Sequence, residues 1–316
     1  MTPLASAELP SLHRDQYLGR VIENRSLCRE HYLLVLRVDA FPATEPGQFV
    51  QVSCRDAMAT EDVVHEWQPG ERLELSDPDL TQPQATLRRP FSLAGRKDVD
   101  GGVELQLIHR VVGIGTDWLS RLAVGDSVNV LGPLGNRFTL PTAGETALLV
   151  GGGVGIPPML YLASKLANKP AVAFCGALSR DLLPLKLTDN AEYPIGDFAD
   201  HGLKSFITTD DGSVGRKGYV TQALESYLDQ HNQPAIIYTC GPEPMMKRVA
   251  EIAMSRNVPC QIAVERAMAC GMGTCQSCCI KVKKPDASQP PLPGSDWCYR
   301  LACTDGPVFY ATQLLW

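Results

Sequence analysis

The sequence predicts a β-barrel plus α/β architecture: an antiparallel barrel, then a parallel-sheet domain, then a small cysteine-bearing C-terminal domain. Three observations carry this. Up to about residue 140, short β-type runs alternate with turn residues and leave little room for helix. From residue 146, bare apolar runs alternate with segments of helical spacing, the pattern of strands buried in a parallel sheet. From about Pro259 the chain is rich in cysteine.

Residues 1–15 contain Pro and Ser, lack periodicity, and read as a disordered tail. The barrel is expected over 16–142, with strands at 17–22, 32–38, 48–53, 91–94, 103–109 and 127–131 and a short helix at 117–122. Residues 57–86 are polar, contain Pro69, Pro78 and Pro83, and read as a long excursion from it. The α/β domain is expected over 143–256. It opens with strand 147–150, a glycine turn and helix 156–166, where Pro157 and Pro158 suit the first helical positions. Strands at 171–174, 205–208 and 235–239 follow, with helices at 213–228 and 243–256. Residues 257–316 form the last domain, in which the Lys- and Pro-rich stretch 281–293 is expected to be an exposed loop.

At 316 residues the chain has room for two or three domains and a sizeable core. Its 44% hydrophobic and 20% charged residues suit a soluble globular protein. A net charge of −6 provides no basic surface to neutralise nucleic acid. No apolar run reaches the ~18 residues of a membrane span. After Met1, the residues Pro3, Glu8, Pro10 and Asp15 interrupt any secretory h-region. Eleven cysteines in that setting suit a reducing cytosol. The expectation is a cytoplasmic protein with no membrane or nucleic-acid partner.

Cys270, Cys275 and Cys278 stand in Cys-Gly-Met-Gly-Thr-Cys-Gln-Ser-Cys, the C-x4-C-x2-C spacing of a plant-type 2Fe–2S cluster. In such a loop Gly271 and Gly273 let the backbone approach the bridging sulfides with no Cβ in the way. Freed N–H groups then hydrogen-bond the sulfurs and tune the potential. Structural zinc, a disulfide framework and inert buried thiols are the alternatives. Zinc knuckles pair C-x2-C with a second C-x2-C or with two histidines, and neither is present. For the fourth ligand, Cys298 and Cys303 both lie downstream, and spacing does not choose between them. Cys279 points away from Cys278 if 279–282 is extended.

Gly151-Gly152-Gly153-Val154-Gly155 runs from a strand into a helix, which places backbone N–H groups and a positive helix end at one point. The dinucleotide fingerprint is incomplete. Pro158 occupies the place of the third glycine, and 171–177 offers no acid for a ribose. Phosphate binding and a tight structural turn both fit. Arg180, after the next strand, suits a ribose or phosphate, or simply solvent. Cys240 ends a strand where α/β sheets collect ligands, although on composition alone it reads first as a buried small hydrophobe. In the barrel, Arg88-Arg89-Pro90-Phe91-Ser92 sets guanidinium groups beside a hydroxyl. Ile108-His109-Arg110 leads into a turn with Gly115 and Thr116. Arginine with turn N–H groups suits a pyrophosphate, and Ser92 suits a flavin ring, although rim arginines are usually solvated.

Taken in chain order, these motifs resemble the ferredoxin–NADP reductase superfamily. Within it, the chain is similar to the electron-transfer subunits of NAD-linked, class 1B dihydroorotate dehydrogenases. The matching segments are 46–49, 88–92, 108–116, 130–136, 147–158, 209–215, 240–245, 265–278 and 303–309, which span most of the chain from residue 17. The resemblance implies that Arg89, Pro90, Phe91 and Ser92 hold FAD, with Ile108, His109 and Arg110 as a second contact and Gly115 and Thr116 over the pyrophosphate. His109 stands where the family usually has a tyrosine. It implies that the Gly151–Gly155 turn, Asp210 to Ser213, and Cys240, Gly241, Pro242 and Glu243 face NAD. It selects Cys303 over Cys298 as the fourth cluster ligand, beside Cys270, Cys275 and Cys278.

The implied activity is an oxidoreductase subunit with no catalytic side chain of its own. Electrons would pass from an FMN-containing catalytic subunit that oxidises dihydroorotate, through the cluster and FAD, to NAD+ in pyrimidine (UMP) biosynthesis. Two catalytic and two electron-transfer subunits would form a heterotetramer. The long stretch between Cys278 and Cys303, the 57–86 excursion and the tail look like additions, placed where a partner would dock. Two other readings use the same motifs. One is the diaphorase subunit of an NADH–ferredoxin transhydrogenase or of a related hydrogenase or sulfite-reductase complex. The other is a non-catalytic binding protein of the same fold.

Overall fold

β1 (Asp15–Cys28), β2 (His31–Val38), β3 (Phe49–Val52), β4 (Arg89–Val99), β5 (Gly102–Arg110) and β6 (Ser127–Leu134) form a closed barrel in the order β1-β2-β5-β4-β3-β6. The computed structural model describes residues 15–56, 85–166, 169–284 and 296–316. β1 pairs with both β2 and β6, so no sheet edge remains open. Alternation builds the interior: Val103, Leu105 and Leu107 of β5 meet Leu34, Leu36, Val50 and Val128 in one core. The tail expected over 1–15 lies outside the described residues except Asp15, which belongs to β1 and pairs with Gly132. The excursion expected over 57–86 is likewise outside them, apart from 85–86.

α1 (Ile114–Ser120) begins earlier than residue 117. Thr116 Oγ1 accepts N–H bonds from Val112 (2.9 Å) and Gly113 (3.2 Å), so the turn closes before Asp117.

The second unit runs β7 (Thr146–Gly152), a 3-10 turn at Gly153–Gly155, α2 (Ile156–Ser164), β8 (Ala171–Ala177), α3 (Gly196–Ala199) and β9 (Lys204–Thr209). It continues with β10 (Arg216–Lys217), α4 (Val220–Gln230), β11 (Ala235–Cys240), α5 (Glu243–Ser255) and β12 (Cys260–Ala263). The predicted helix over 213–228 starts only at Val220. Gly215 (φ +67°) and Gly218 (φ +126°) break the helical path, and β10 pairs with β9 instead. The sheet order is β10-β9-β8-β7-β11-β12, with β15 (Val308–Tyr310) outside β12, so the chain winds outward one way through β8 and β9 and the other way through β11 and β12. The winding reverses between β7 and β11, which is where open α/β sheets bind ligands.

β13 (Cys279–Lys283) and β14 (Trp297–Leu301) pair antiparallel, and β15 (Val308–Tyr310) joins the large sheet antiparallel to β12. Lys281 and Lys283 therefore lie in a strand, which corrects the start of the loop expected over 281–293 to beyond Lys283. Buried Ile280 and Val282 hold that strand inward, and 285–295 lie outside the described residues. The cysteine-bearing segment shares its core with the sheet. Cys278, Ile280, Val282, Cys303 and Leu314 pack in one cluster with Ile237, Val249, and Phe49 and Leu134 of the barrel. The boundary expected at 256/257 thus falls between two elements of a continuous packing unit.

Tyr161 of α2 ties the two main units together. Its ring is buried in the barrel core, and its hydroxyl donates to the Thr44 carbonyl at 2.7 Å. Among the described residues no helix is long and apolar enough to cross a membrane.

Candidate functional site

A cleft of about 1440 Å³ runs between the barrel and the carboxyl ends of the parallel strands. β4 supplies Arg89, Pro90, Phe91 and Ser92 to its wall; β5 supplies Ile108, His109 and Arg110; the α1 turn supplies Gly115 and Thr116. All the barrel residues expected to face a flavin therefore line one surface. Register explains this in part: β4 pairs with β3 through Arg89–Val52 to Ser92–Phe49, which sets the whole motif along one ladder. Gly115 lets α1 sit close, because a Cβ there would lie 3.1 Å from Cys54 Cβ.

Arg110 is fixed by Glu30, with Nη2 2.8 Å and Nε 2.9 Å from the same carboxylate oxygen. The hydrogen bond from Arg110 holds the Glu30 carboxyl below the usual range. Arg89 Nη1 donates to the Leu87 carbonyl at 2.8 Å. Arg88 is absent from the lining and serves the barrel instead, donating to Gln16 Oε1 at 3.0 Å and the Asn129 carbonyl at 3.3 Å. His109 is buried, stacked on Tyr32 at 5.8 Å and edge-on to Phe91 at 6.0 Å, with no hydrogen-bond partner on either ring nitrogen. Burial, with nearby His31 adding to it, pushes its pKa down to about 4, so it stays neutral.

On the sheet side Gly152, Gly153, Val154, Gly155, Asp210, Cys240, Pro242 and Glu243 line the cleft. Gly151 and Gly241 do not. Gly151 lies under α2, where a Cβ would be 3.1 Å from Ile156 Cα, and Gly241 (φ +149°) packs on Gly152. Gly153 has φ +52° and open space where a Cβ would stand, so its backbone is bare to the cleft. Burial pushes the Cys240 thiol up to about 12, so it remains a neutral thiol. Arg180 is outside the lining; its backbone N–H donates to Ser213 Oγ at 2.7 Å. Sequence reasoning missed Tyr219, Met268 and Pro307, which also line the cleft. Met268 and Pro307 fall within the matching segments 265–278 and 303–309, but nothing local assigns either of them, or Tyr219, to the cleft.

The four cysteines come together as two pairs. Cys270 Sγ accepts N–H bonds from Met272 and Cys275, each at 3.4 Å. The Cys275 thiol contacts Ser277 Oγ at 3.2 Å and is held down to about 6, chiefly by hydrogen bonds from Ser277 and then from Cys270. Cys303 contacts Cys278, and both are buried. Burial first, and then Cys278, push the Cys303 thiol up to about 12 against a bond from the Gly273 N–H. Cys298 stands apart on β14, in register with Val282. Gly271 (φ +71°) and Gly273 (φ +87°) both need the left-handed region. Among the described residues no three His, Cys, Asp or Glu side chains converge as ligands of a single ion. Two dithiol pairs suit a two-iron core, each pair holding one iron.

The segment 265–315 matches a family model described as the iron–sulfur cluster binding domain of dihydroorotate dehydrogenase B, and 149–251 matches an oxidoreductase NAD-binding domain. A "Dihydroorotate dehydrogenase B (NAD(+)), electron transfer subunit" from Caldanaerobacter subterraneus is 32% identical over 94% of this chain and 97% of its own length. The protein of the same name from Geobacillus thermodenitrificans is 35% identical over 93% of this chain and 96% of its own. Among solved structures, one of the NADH-dependent reduced ferredoxin-NADP oxidoreductase, described in terms of flavin-based electron bifurcation, aligns with a TM-score of 0.69. It shares 25% identity and covers 94% of this chain and 90% of that one. Barrel, switch-point sheet and cysteine segment together define an NAD-linked oxidoreductase module of the ferredoxin-reductase type. The chain belongs to the family of electron transfer subunits of dihydroorotate dehydrogenase B (NAD(+)).

Proposed function

We propose that this chain carries electrons from a dihydroorotate-oxidising catalytic subunit to NAD+ in pyrimidine biosynthesis, using a 2Fe–2S cluster and FAD. One observation supports this above the others. Met268 and Pro307, which border the two cysteine segments, line the same cleft as the Arg89–Ser92 motif and the Gly153–Gly155 turn. Both cysteine-bearing segments therefore reach the cleft that carries the flavin wall and the nucleotide wall. When bound, the flavin exchanges a hydride with NAD and passes single electrons to or from the cluster.

The chain's own groups position these cofactors. Arg89 with the Gly115–Thr116 turn holds the FAD pyrophosphate, and Ser92 orients the ring edge. The Gly153 backbone and the start of α2 take the NAD phosphates. Neutral Cys240 closes the far side of the cleft without adding charge to it. Cys270 and Cys275 hold one iron, Cys278 and Cys303 the other. Cys275 is exposed while Cys278 and Cys303 are buried, so the group presents one face to a partner and the other to the protein. Side chains for binding dihydroorotate belong to the FMN-containing catalytic subunit, in a cytoplasmic heterotetramer of two subunits of each kind. A chain with eleven cysteines, four of them the proposed cluster ligands, suits a reducing compartment.

The test is anaerobic purification of the chain with the subunit that accompanies it, followed by addition of dihydroorotate and NAD+. Flavin bleaching coupled to NADH formation is expected. The alignment with the NADH-dependent ferredoxin-NADP oxidoreductase favours a second reading, a diaphorase subunit serving ferredoxin. Bleaching by NADH with transfer to ferredoxin, and no response to dihydroorotate, would move that reading to first place.

A further inference from the structure

Gln51 is fully buried on β3, and neither its Oε1 nor its Nε2 has a hydrogen-bond partner. Burying a primary amide unpaired is costly, so a partner is expected to be supplied by something that binds there. Its position says what. Val50 and Val52 point into the barrel core, so by alternation Phe49 and Gln51 point out of it, toward the cluster of apolar side chains that contains Cys278 and Cys303. The carboxamide lies flat against Gly271, next in sequence to Cys270: a Cβ on Gly271 would fall 2.8 Å from Gln51 Cδ and 3.1 Å from its Nε2. Gln51 is also paired with Pro90, a residue of the flavin wall. One side chain thus spans from the flavin-binding strand to the cysteine loop with both of its polar atoms unused.

We propose that Gln51 is the barrel's positioning residue for the iron–sulfur cluster, its Nε2 donating a hydrogen bond to a sulfur on the Cys270 side and raising the cluster's reduction potential. This rests on the cluster reading above. Reduction adds one electron and one unit of negative charge to the cluster. A donor to sulfur therefore stabilises the reduced state more than the oxidised state. The Gly271 contact fixes the amide at the loop, and the missing Cβ makes that contact possible.

The experiment uses the purified complex and compares wild type with Gln51→Leu, which keeps the volume and removes the donor. Iron and acid-labile sulfide content are expected to be equal. The reduction equilibrium of the cluster, from an EPR-monitored titration, is expected to fall about tenfold, which is about 59 mV for one electron. The flavin midpoint is expected to stay in place. An unchanged cluster midpoint at full occupancy overturns the proposal while leaving the cluster reading intact. A wild-type protein without a cluster overturns both.

If Gln51→Leu fails to assemble, the wild type still decides. With side-chain 15N-labelled glutamine, pulsed EPR of the reduced cluster is expected to show a coupled 15N that persists in Gln276→Ala. No such coupling overturns the proposal.

Discussion

Asn136 and Val308 bind each other in both directions: the Val308 N–H donates to Asn136 Oδ1 at 2.8 Å, and Asn136 Nδ2 donates to the Val308 carbonyl at 2.8 Å. The same Nδ2 reaches the Asp305 carbonyl at 3.0 Å, and the Asn136 N–H reaches that of Gly306 at 2.6 Å. The loop after β6 thereby grips the turn that follows Cys303, and the barrel sets the fourth cysteine's position. Asn136→Leu removes the side-chain bonds and leaves the Val308 N–H unpaired, at a cost of about 1–3 kcal/mol. Urea unfolding with iron and flavin analysis is the check. Lower iron with retained flavin is expected, and equal loss of both would refute the specific link to the cysteine turn.

Gly155 and Cys240 meet just as tightly at the switch point. A Cβ on Gly155 would lie 2.2 Å from the Cys240 carbonyl oxygen, yet Gly155 itself has an ordinary φ of −85°. It is space, not backbone conformation, that demands glycine here. Gly155→Ala should push the two nucleotide loops apart, costing about 1–3 kcal/mol and raising the KM for NADH in artificial-acceptor assays at unchanged flavin content. Gly153→Ala meets no atom and carries only the positive-φ strain, about 1–2 kcal/mol. A KM equally raised in both variants would show that crowding is not the cause.

Cys303→Ser should lose most of the cluster absorbance and EPR signal while FAD remains, because the barrel wall is untouched. Cys298→Ser should keep the cluster, since Cys298 is held on β14 opposite Val282. The reverse pattern would reassign the fourth ligand.

Buried His109 makes the protein acid-sensitive. Its pKa falls from 6.5 to about 4 in the folded state, so the unfolded chain takes up a proton first as pH drops. The stabilisation is complete above 6.5 and is lost progressively toward pH 4, by roughly 3 kcal/mol in all. His31, also lowered by burial, acts in the same direction, as does the Glu30 carboxylate held by Arg110. His109→Phe keeps an aromatic ring between Tyr32 and Phe91 and removes the proton. Unfolding free energies at pH 7.5 and 4.5 should differ less in His109→Phe than in wild type. An identical pH slope in the two proteins would show that His109 does not titrate this way.

Much of the site is local and so was legible in the chain. The Cys270–Cys278 spacing, the strand-to-helix glycine turn and the period-2 runs each report on neighbours a few residues apart, where backbone geometry alone sets what is possible. The barrel strands and the helices at Ile156 and Glu243 follow from such patterns. Other features depend on contacts between distant segments. β12 and β15 are too short to show a period; β12 exists because β11 offers it an edge to pair with, and β15 because β12 does. The helix over 213–228 loses its first turns because Gly215 must fit against the Ile207 carbonyl.

By itself, then, the sequence determined the chemistry available to this protein: a four-thiolate group, a phosphate-binding turn, and an arginine-bearing barrel strand. Tertiary structure decided which residues share a surface. It buried Cys303 against Cys278 and left Cys298 on a strand, sent Arg88 to the barrel and Arg89 to the cleft, and placed an unpaired Gln51 against the cysteine loop. The physical reason is that residue type sets bonding capacity, whereas burial and proximity arise only when segments far apart in the chain pack into one core.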